Sequence, residues 1–231
     1  MSKDPNATGT ETLLESLDGL IDCYSLLKHP FYRAWNEGSL PRESLKLYAV
    51  QYYQHVRAFP ENLRRLVSRT SGTLQELASD NLSEELDPRG PHPLLWRRFA
   101  RSVGVSDAVL DTARPLPGVG ALLQVFNEVA SEGPASHAVG AFYAYEAQVP
   151  EIAEKKCLGL RRFYGITDPE ALEYFTVHQE ADVRHRAAWR GWLASQERVD
   201  APGIRRTAER ILKALWGALD AVYPEECVAT T

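Results

Sequence analysis

Six histidines occur in the 231-residue chain, and two of them, His178 and His185, flank Asp182 in HQEADVRH (178–185). At 100° per residue the three fall at about 0°, 340° and 40°, inside a roughly 60° wedge of one helix face. An aspartate on the inward stripe of an amphipathic helix is costly to bury unless something positive neutralises it, and a bound cation is one such partner. His92 follows Glu85 by seven residues, across the Pro/Gly loop of LSEELDPRGPHPLLW. Glu146 lies in FYAYEAQVPEI, flanked by Phe142, Tyr143, Tyr145 and Val149, so its carboxylate is expected to point into apolar surroundings. Glu85, His92, Glu146, His178, Asp182 and His185 together supply three imidazoles and three carboxylates. Such a mixed nitrogen and oxygen set suits iron or manganese better than the cysteine-rich tetrahedra of structural zinc or the all-oxygen shells of magnesium. Six ligands are enough for two metals, with carboxylates available to bridge and positions left open for dioxygen. Each piece also has a plainer reading. HxxxDxxH can be a solvated face or a hydrogen-bonded cluster, Glu85 and His92 a charged loop, and Glu146 a satisfied buried carboxylate or a solvent-facing one near Pro150. Spacing alone does not bring the three segments together.

The elements that must position these groups read as helices throughout, with no useful stretch of period-two alternation. Residues 11–28 place Leu13, Leu14, Leu17, Leu20, Ile21 and Leu27 on one stripe before His29–Pro30 breaks it. Residues 39–70 form a long helix with Ser39 and Pro41 as start signals and Pro60 as an expected kink. Further helices are predicted at 73–86, 93–103, 106–112, 118–132, 135–163, 168–196 and 202–222. They are punctuated by Gly-Val-Gly, Ser-Glu-Gly-Pro and Gly-Ile-Thr-Asp-Pro. A single all-α domain of seven to nine helices follows, over residues 11–225, with a disordered start (1–10) and a short tail (226–231). Helical bundles do build dinuclear carboxylate sites, but the paired Glu-x-x-His of the ferritin-like scaffold is absent, so another scaffold is required.

A net charge of −5 and a pI near 5.7 argue against a partner with a phosphate backbone or an anionic membrane surface. Cys23, Cys157 and Cys227 have neither CxxC spacing nor an even count, as expected of a reduced compartment. The polar start MSKDPNATGTE lacks a signal-peptide core, and no apolar run approaches the roughly 18 residues of a membrane span. A cytoplasmic protein is expected.

HPFYRAW (29–35), YAVQYYQHVRAFPENL (48–63), DNLSEE (80–85), YEAQVPEIAEKK (145–156) and YFTVHQEADVRH (174–185) resemble, in this order, the CADD family, proteins similar to the chlamydial protein associating with death domains. The resemblance runs from about residue 12 to residue 225. It implies a haem-oxygenase-like bundle of about seven core helices carrying two transition-metal ions, Fe/Fe or Mn/Fe, in place of haem. The family's ligands fall on the same six residues, Glu85, His92, Glu146, His178, Asp182 and His185. It further implies an oxygenase that makes p-aminobenzoate for folate, with dioxygen as co-substrate and an external reductant. The ring is taken from a tyrosine of the protein itself, here Tyr32, and Lys156 corresponds to the nitrogen donor. Tyr48, Tyr52 and Tyr53 are candidates to line the cavity or relay electrons. Read alone they are core aromatics, Tyr32 is a packing residue beside a loop, and Lys156 is a solvated lysine in EIAEKK.

Three rival readings stay open on the sequence. A diiron oxygenase or oxidase acting repeatedly on a small external substrate would keep all six ligands. A thiaminase-like or quinone-cofactor-forming relative would need no metal, with Cys157 as the nucleophile of the thiaminase type. An interaction protein would use 178–185 as a partner face, although a death-domain partner is not expected outside a pathogen. The oligomeric state is not determined, and the resemblance leaves a homodimer open.

Overall fold

The computed structural model of the protein describes residues 9–223. Most of the expected start (1–8) and the whole tail (226–231, with Cys227) lie outside the described residues. Eleven α-helices and one 3₁₀ turn are present among those described: α1 (Gly9–Cys23), the turn Leu26–Lys28, α2 (Pro30–Glu37), α3 (Arg42–Ser68), α4 (Gly72–Glu85), α5 (His92–Ser102), α6 (Asp107–Thr112), α7 (Pro117–Ser131), α8 (Ala135–Glu146), α9 (Val149–Tyr164), α10 (Pro169–Ala194) and α11 (Ala201–Val222). No strand occurs among the described residues.

Nine helical spans were expected, and the two extra helices have physical causes. The predicted 11–28 helix stops at Cys23, because the Leu26 amide donates to the distant Gln148 Oε1 at 2.8 Å rather than continuing the helix. Gly9 and Thr10, expected to be disordered, instead open α1. The segment after His29 is itself a helix. His29 Nδ1 accepts from the Phe31 amide at 3.1 Å, Pro30 takes the first turn, and Gly38 closes it at φ 77°. Tyr32 is therefore a helical residue, not one beside a loop.

The second correction is the break in the predicted 135–163 helix. Pro150 has no N–H to donate to the carbonyl four residues back, and its ring crowds that carbonyl, which belongs to Glu146. The chain turns through Ala147 and Gln148 and restarts at Val149. Pro60, by contrast, is accommodated inside α3, which runs through it.

Helix α10 is the hub, lying against α9, α5 and α8, while α11 packs along α7 and α8 and α3 along α4, α5 and α7. Aspartates start α10 and α11. Asp168 accepts from the Glu170 amide at 3.1 Å and Asp200 from the Gly203 amide at 3.0 Å. Trp35, Trp96, Trp189, Phe126, Phe142 and Phe175 are fully buried and fill the space between the helices. Trp96 also donates from Nε1 to the Ala49 carbonyl at 2.8 Å, tying α5 to α3. No described helix is long and apolar enough to cross a membrane.

Helices α7 and α11 approach so closely at Gly118 that a Cβ there would lie 2.2 Å from the Gly217 carbonyl oxygen. Gly118→Ala is expected to cost about 1–3 kcal/mol in urea unfolding. Gly120→Ala, where nothing lies within 4 Å, should be neutral or stabilising by up to about 1 kcal/mol. Equal behaviour of the two variants would show that the close approach does not hold the helices in place.

Candidate metal centre

The six expected residues come from four helices and meet in the interior. Glu85 is the last residue of α4 and His92 the first of α5, so the intervening loop delivers both from helix ends. Glu146 ends α8 at the proline-induced break, and His178, Asp182 and His185 share one face of α10. They form two triads, Glu85–His92–His178 and Glu146–Asp182–His185. Within each triad the candidate ligand atoms all lie within 4.8 Å of one another. Exposure runs from 1 % at Glu146 to 7 % at His185, which excludes the solvated-face reading. A small void bordered by Glu85, His178 and Asp182 joins the triads.

Neighbouring groups orient these side chains. His178 Nδ1 lies 2.6 Å from the Tyr174 carbonyl; a carbonyl only accepts, so Nδ1 carries the proton and the Nε2 lone pair is free. Glu146 accepts from Asn81 Nδ2 at 2.8 Å and from Trp189 Nε1 at 2.6 Å. Asn81 and Trp189 were not singled out from the sequence. Each lies four residues from an expected ligand on the same helix, Glu85 and His185 respectively, and that spacing is the signal that could have found them.

The electrostatics are those of a cation site with protons in the cation's place. Burial pushes the Glu146 carboxyl up, and the charge of Asp182 adds to it; burial likewise raises Asp182. Burial opposes charge on His185, but the hydrogen bond to Asp182 and the charge of Glu146 raise it to about 9. His92 is also raised by Glu85 against burial, whereas burial and then His92 hold His178 well below the usual range. His92 Nδ1 and Glu85 Oε2 stand 2.9 Å apart, yet out of line for a hydrogen bond. His92 Nδ1, Asp182 Oδ2 and His185 Nε2 are buried and make no hydrogen bond, although carboxylates approach the two imidazole nitrogens. Buried polar atoms are seldom left so, and three of them aimed into two mixed N/O triads fit a pair of divalent transition metals.

Beside the triads lies an aromatic cavity lined by Tyr32, Tyr48, Tyr52, Lys156, Tyr174 and His178, among others. Its volume is about 40 Å³. Lys156 is buried, not solvated. Its Nζ donates to the Tyr48 hydroxyl at 2.6 Å and lies 5.4 Å from the Tyr32 ring centre. The Tyr48 and Tyr32 hydroxyls are 3.3 Å apart, Tyr48 stacks on Tyr52 at 5.3 Å, and the Tyr52 hydroxyl meets that of Tyr145 at 2.8 Å. A continuous run of phenols thus leads from Tyr32 to the residue preceding Glu146. Burial pushes the Tyr32, Tyr48, Tyr52 and Tyr145 hydroxyls well above the usual phenol pKa, so all four are neutral phenols. Burial lowers Lys156 to about 7. Cys157, the nucleophile of a thiaminase-type reading, does not line this cavity and faces Gln179 at 3.5 Å.

Residues 46–218 match the model of a family described as iron-containing redox enzymes. The chain is 36 % identical to a 4-aminobenzoate synthase of Nitrosomonas europaea over 233 residues, covering 94 % of each protein. It also resembles a Shewanella denitrificans domain with a heme oxygenase-like fold, at TM-score 0.78 and 17 % identity over 95 % of this chain and 94 % of that one. A CADD-like protein of unknown function from Nostoc punctiforme superposes at TM-score 0.73 and 15 % identity, covering 96 % of this chain and 97 % of that one.

An ammonium group held in this cavity opposes folding. The unfolded lysine titrates near its ordinary 10.5 and the folded one near 7. The penalty is therefore complete below pH 7 and fades as pH rises from about 7 to 10.5. Lys156→Met should stabilise the fold at pH 7 by on the order of 3 kcal/mol, with a gain that shrinks toward pH 10. A gain independent of pH would place the lysine's ammonium in water.

Proposed function

This chain belongs to the iron-containing redox enzyme family, and from that premise we propose that it is a dimetal oxygenase that produces p-aminobenzoate, using Tyr32 as the source of the ring and Lys156 as the source of nitrogen. The observation that carries the reading is the Lys156 amine, wholly buried and 5.4 Å from the Tyr32 ring, in a cavity that His178 also lines. The name of the Nitrosomonas europaea relative, similar over nearly the whole of both chains, supports the same product.

Glu85, His92 and His178 would hold one metal, and Glu146, Asp182 and His185 the other. A reduced iron pair, or manganese with iron, supplies the activation of dioxygen, with electrons from an external reductant. The chain's own residues do the rest. Asn81 and Trp189 hold the Glu146 carboxylate in place, and the Tyr174 carbonyl keeps the His178 Nε2 lone pair directed inward. The apolar cavity excludes bulk water from the ring to be consumed.

Because the phenols are neutral, oxidation of Tyr32 requires that its proton leave with the electron. The adjoining Tyr48 hydroxyl is the group through which that proton passes toward the Lys156 amine. Tyr52 and Tyr145 extend the same run of hydroxyls and stacked rings toward Glu146, a path for the electron. Lys156 near 7 is substantially unprotonated at neutral pH, as a nitrogen nucleophile must be. The cavity is small for an external aromatic substrate and the protein's own Tyr32 ring forms part of its wall, which favours self-consumption.

Anaerobic Fe(II) loading is expected to give two metals per chain by elemental analysis and to raise the melting temperature by about 5–10 °C. Asp182→Asn should lower the stoichiometry and abolish most of that rise. Two tightly held metals in Asp182→Asn would remove this residue from the ligand set.

Exposure of the loaded protein to oxygen and reductant should release no more than one p-aminobenzoate per chain. Intact-mass and peptide analysis should then find a side-chain fragment missing from the peptide containing Tyr32. Tyr32→Phe should yield none, and the wild-type yield should rise with pH through about 7 as Lys156 loses its proton. Repeated turnover with an unchanged Tyr32 peptide would point instead to an external substrate.

A further inference from the structure

We propose that Glu84 is a relay ligand through which a divalent metal ion passes from water to His185; the inference rests on the metal reading above. Glu84 and Glu85 are consecutive on α4 but face different media. Glu85 is buried, while the Glu84 side chain is 38 % exposed at the rim of a surface groove. Glu84 Oε2 accepts a hydrogen bond from Arg184 Nη2 at 2.8 Å and lies 3.4 Å from His185 Nε2. That approach is an ion pair without hydrogen-bond geometry, so the buried His185 Nε2 makes no hydrogen bond. The carboxylate is therefore both exposed to water and paired with an imidazole nitrogen of the second triad that makes no hydrogen bond.

The rest of the groove agrees. His92 lines it, and its Nδ1, beside Glu85, is the other imidazole nitrogen of the site that makes no hydrogen bond. One imidazole from each triad is thus reached from this single face. Asp87, Glu173 and Glu180 add negative charge along the wall, with Arg89 opposing it and Glu173 paired to Arg98. The aromatic cavity is the alternative approach, and it lacks any carboxylate and contains Lys156. A hydrated dication entering there would have to shed its waters against apolar rings and an amine. On the groove side, carboxylate oxygens can replace those waters one at a time. Arg184 opposes the transfer, since it competes with the ion for the Glu84 carboxylate.

The test is anaerobic stopped-flow uptake of Mn(II), and separately Fe(II), by the metal-free full-length chain, with elemental analysis at the end point. Glu84→Gln is expected to slow uptake about tenfold while two metals per chain are still reached. Arg184→Gln should accelerate it. Arg184 is exposed and Glu84 partly so, and unchanged melting temperatures will verify that the variants fold. An unchanged rate in Glu84→Gln overturns the proposal, and so does an end point of one metal, which would make Glu84 a resident ligand. A wild-type chain that takes up no metal defeats the dimetal reading itself. Two metals in the wild type with an unaltered rate in Glu84→Gln defeats only the relay.

Discussion

Three carboxylates and three imidazoles are gathered in an interior where none of them is well solvated, and their charges must balance one another or be balanced by something else. Protons do this imperfectly. Burial raises Glu146 and Asp182 toward their protonated forms, and the neighbouring carboxylates raise His185, yet three buried polar atoms still make no hydrogen bond. Two dications would satisfy carboxylates and imidazoles together, and the surrounding architecture reads as the means of holding that arrangement open. Helix ends carry Glu85, His92 and Glu146, where the backbone can turn to aim a side chain, while the long uninterrupted α10 carries the other three in fixed register.

The aromatic cavity shows the opposite balance. Lys156 sits among the rings of Tyr32, Tyr48, Tyr52, Trp96 and Phe175, each centre within 5.9 Å of Nζ. Attraction to those ring faces offsets part of the desolvation of the ammonium, but the amine is still driven toward its neutral form. A fold selected for stability alone would place a hydrocarbon side chain there. The lysine makes sense as a group whose nitrogen is wanted unprotonated beside a phenol, which joins the stability of the helix bundle to the proposed chemistry.

The ligand types were legible because they violate the helical pattern: a carboxylate amid Phe142, Tyr143 and Tyr145, or an aspartate on the inward face of α10. Their grouping into two triads was not legible, since spacing along one helix says nothing about which other helix faces it. The boundary at Glu146 could have been read from Pro150, whose effect reaches four residues back. The early end of α1 could not, because it depends on a hydrogen bond from Leu26 to Gln148, 122 residues away. Lys156 and Tyr32 came from family resemblance, since EIAEKK by itself describes a solvated surface.

What the sequence determined by itself is the set of local preferences: helical periodicity, caps and breakers, an acidic surface, and inward-facing groups too polar for an ordinary core. Those follow from backbone sterics and from side-chain solvation, which act over a few residues. Only the tertiary structure decided that Glu85 meets His178, that Glu146 lies beside Asp182 and His185, and that Lys156 enters an aromatic cavity on the far side of His178. Such pairings arise when whole helices bury their apolar faces together, and the burial that shifts these titratable groups exists only once that has happened.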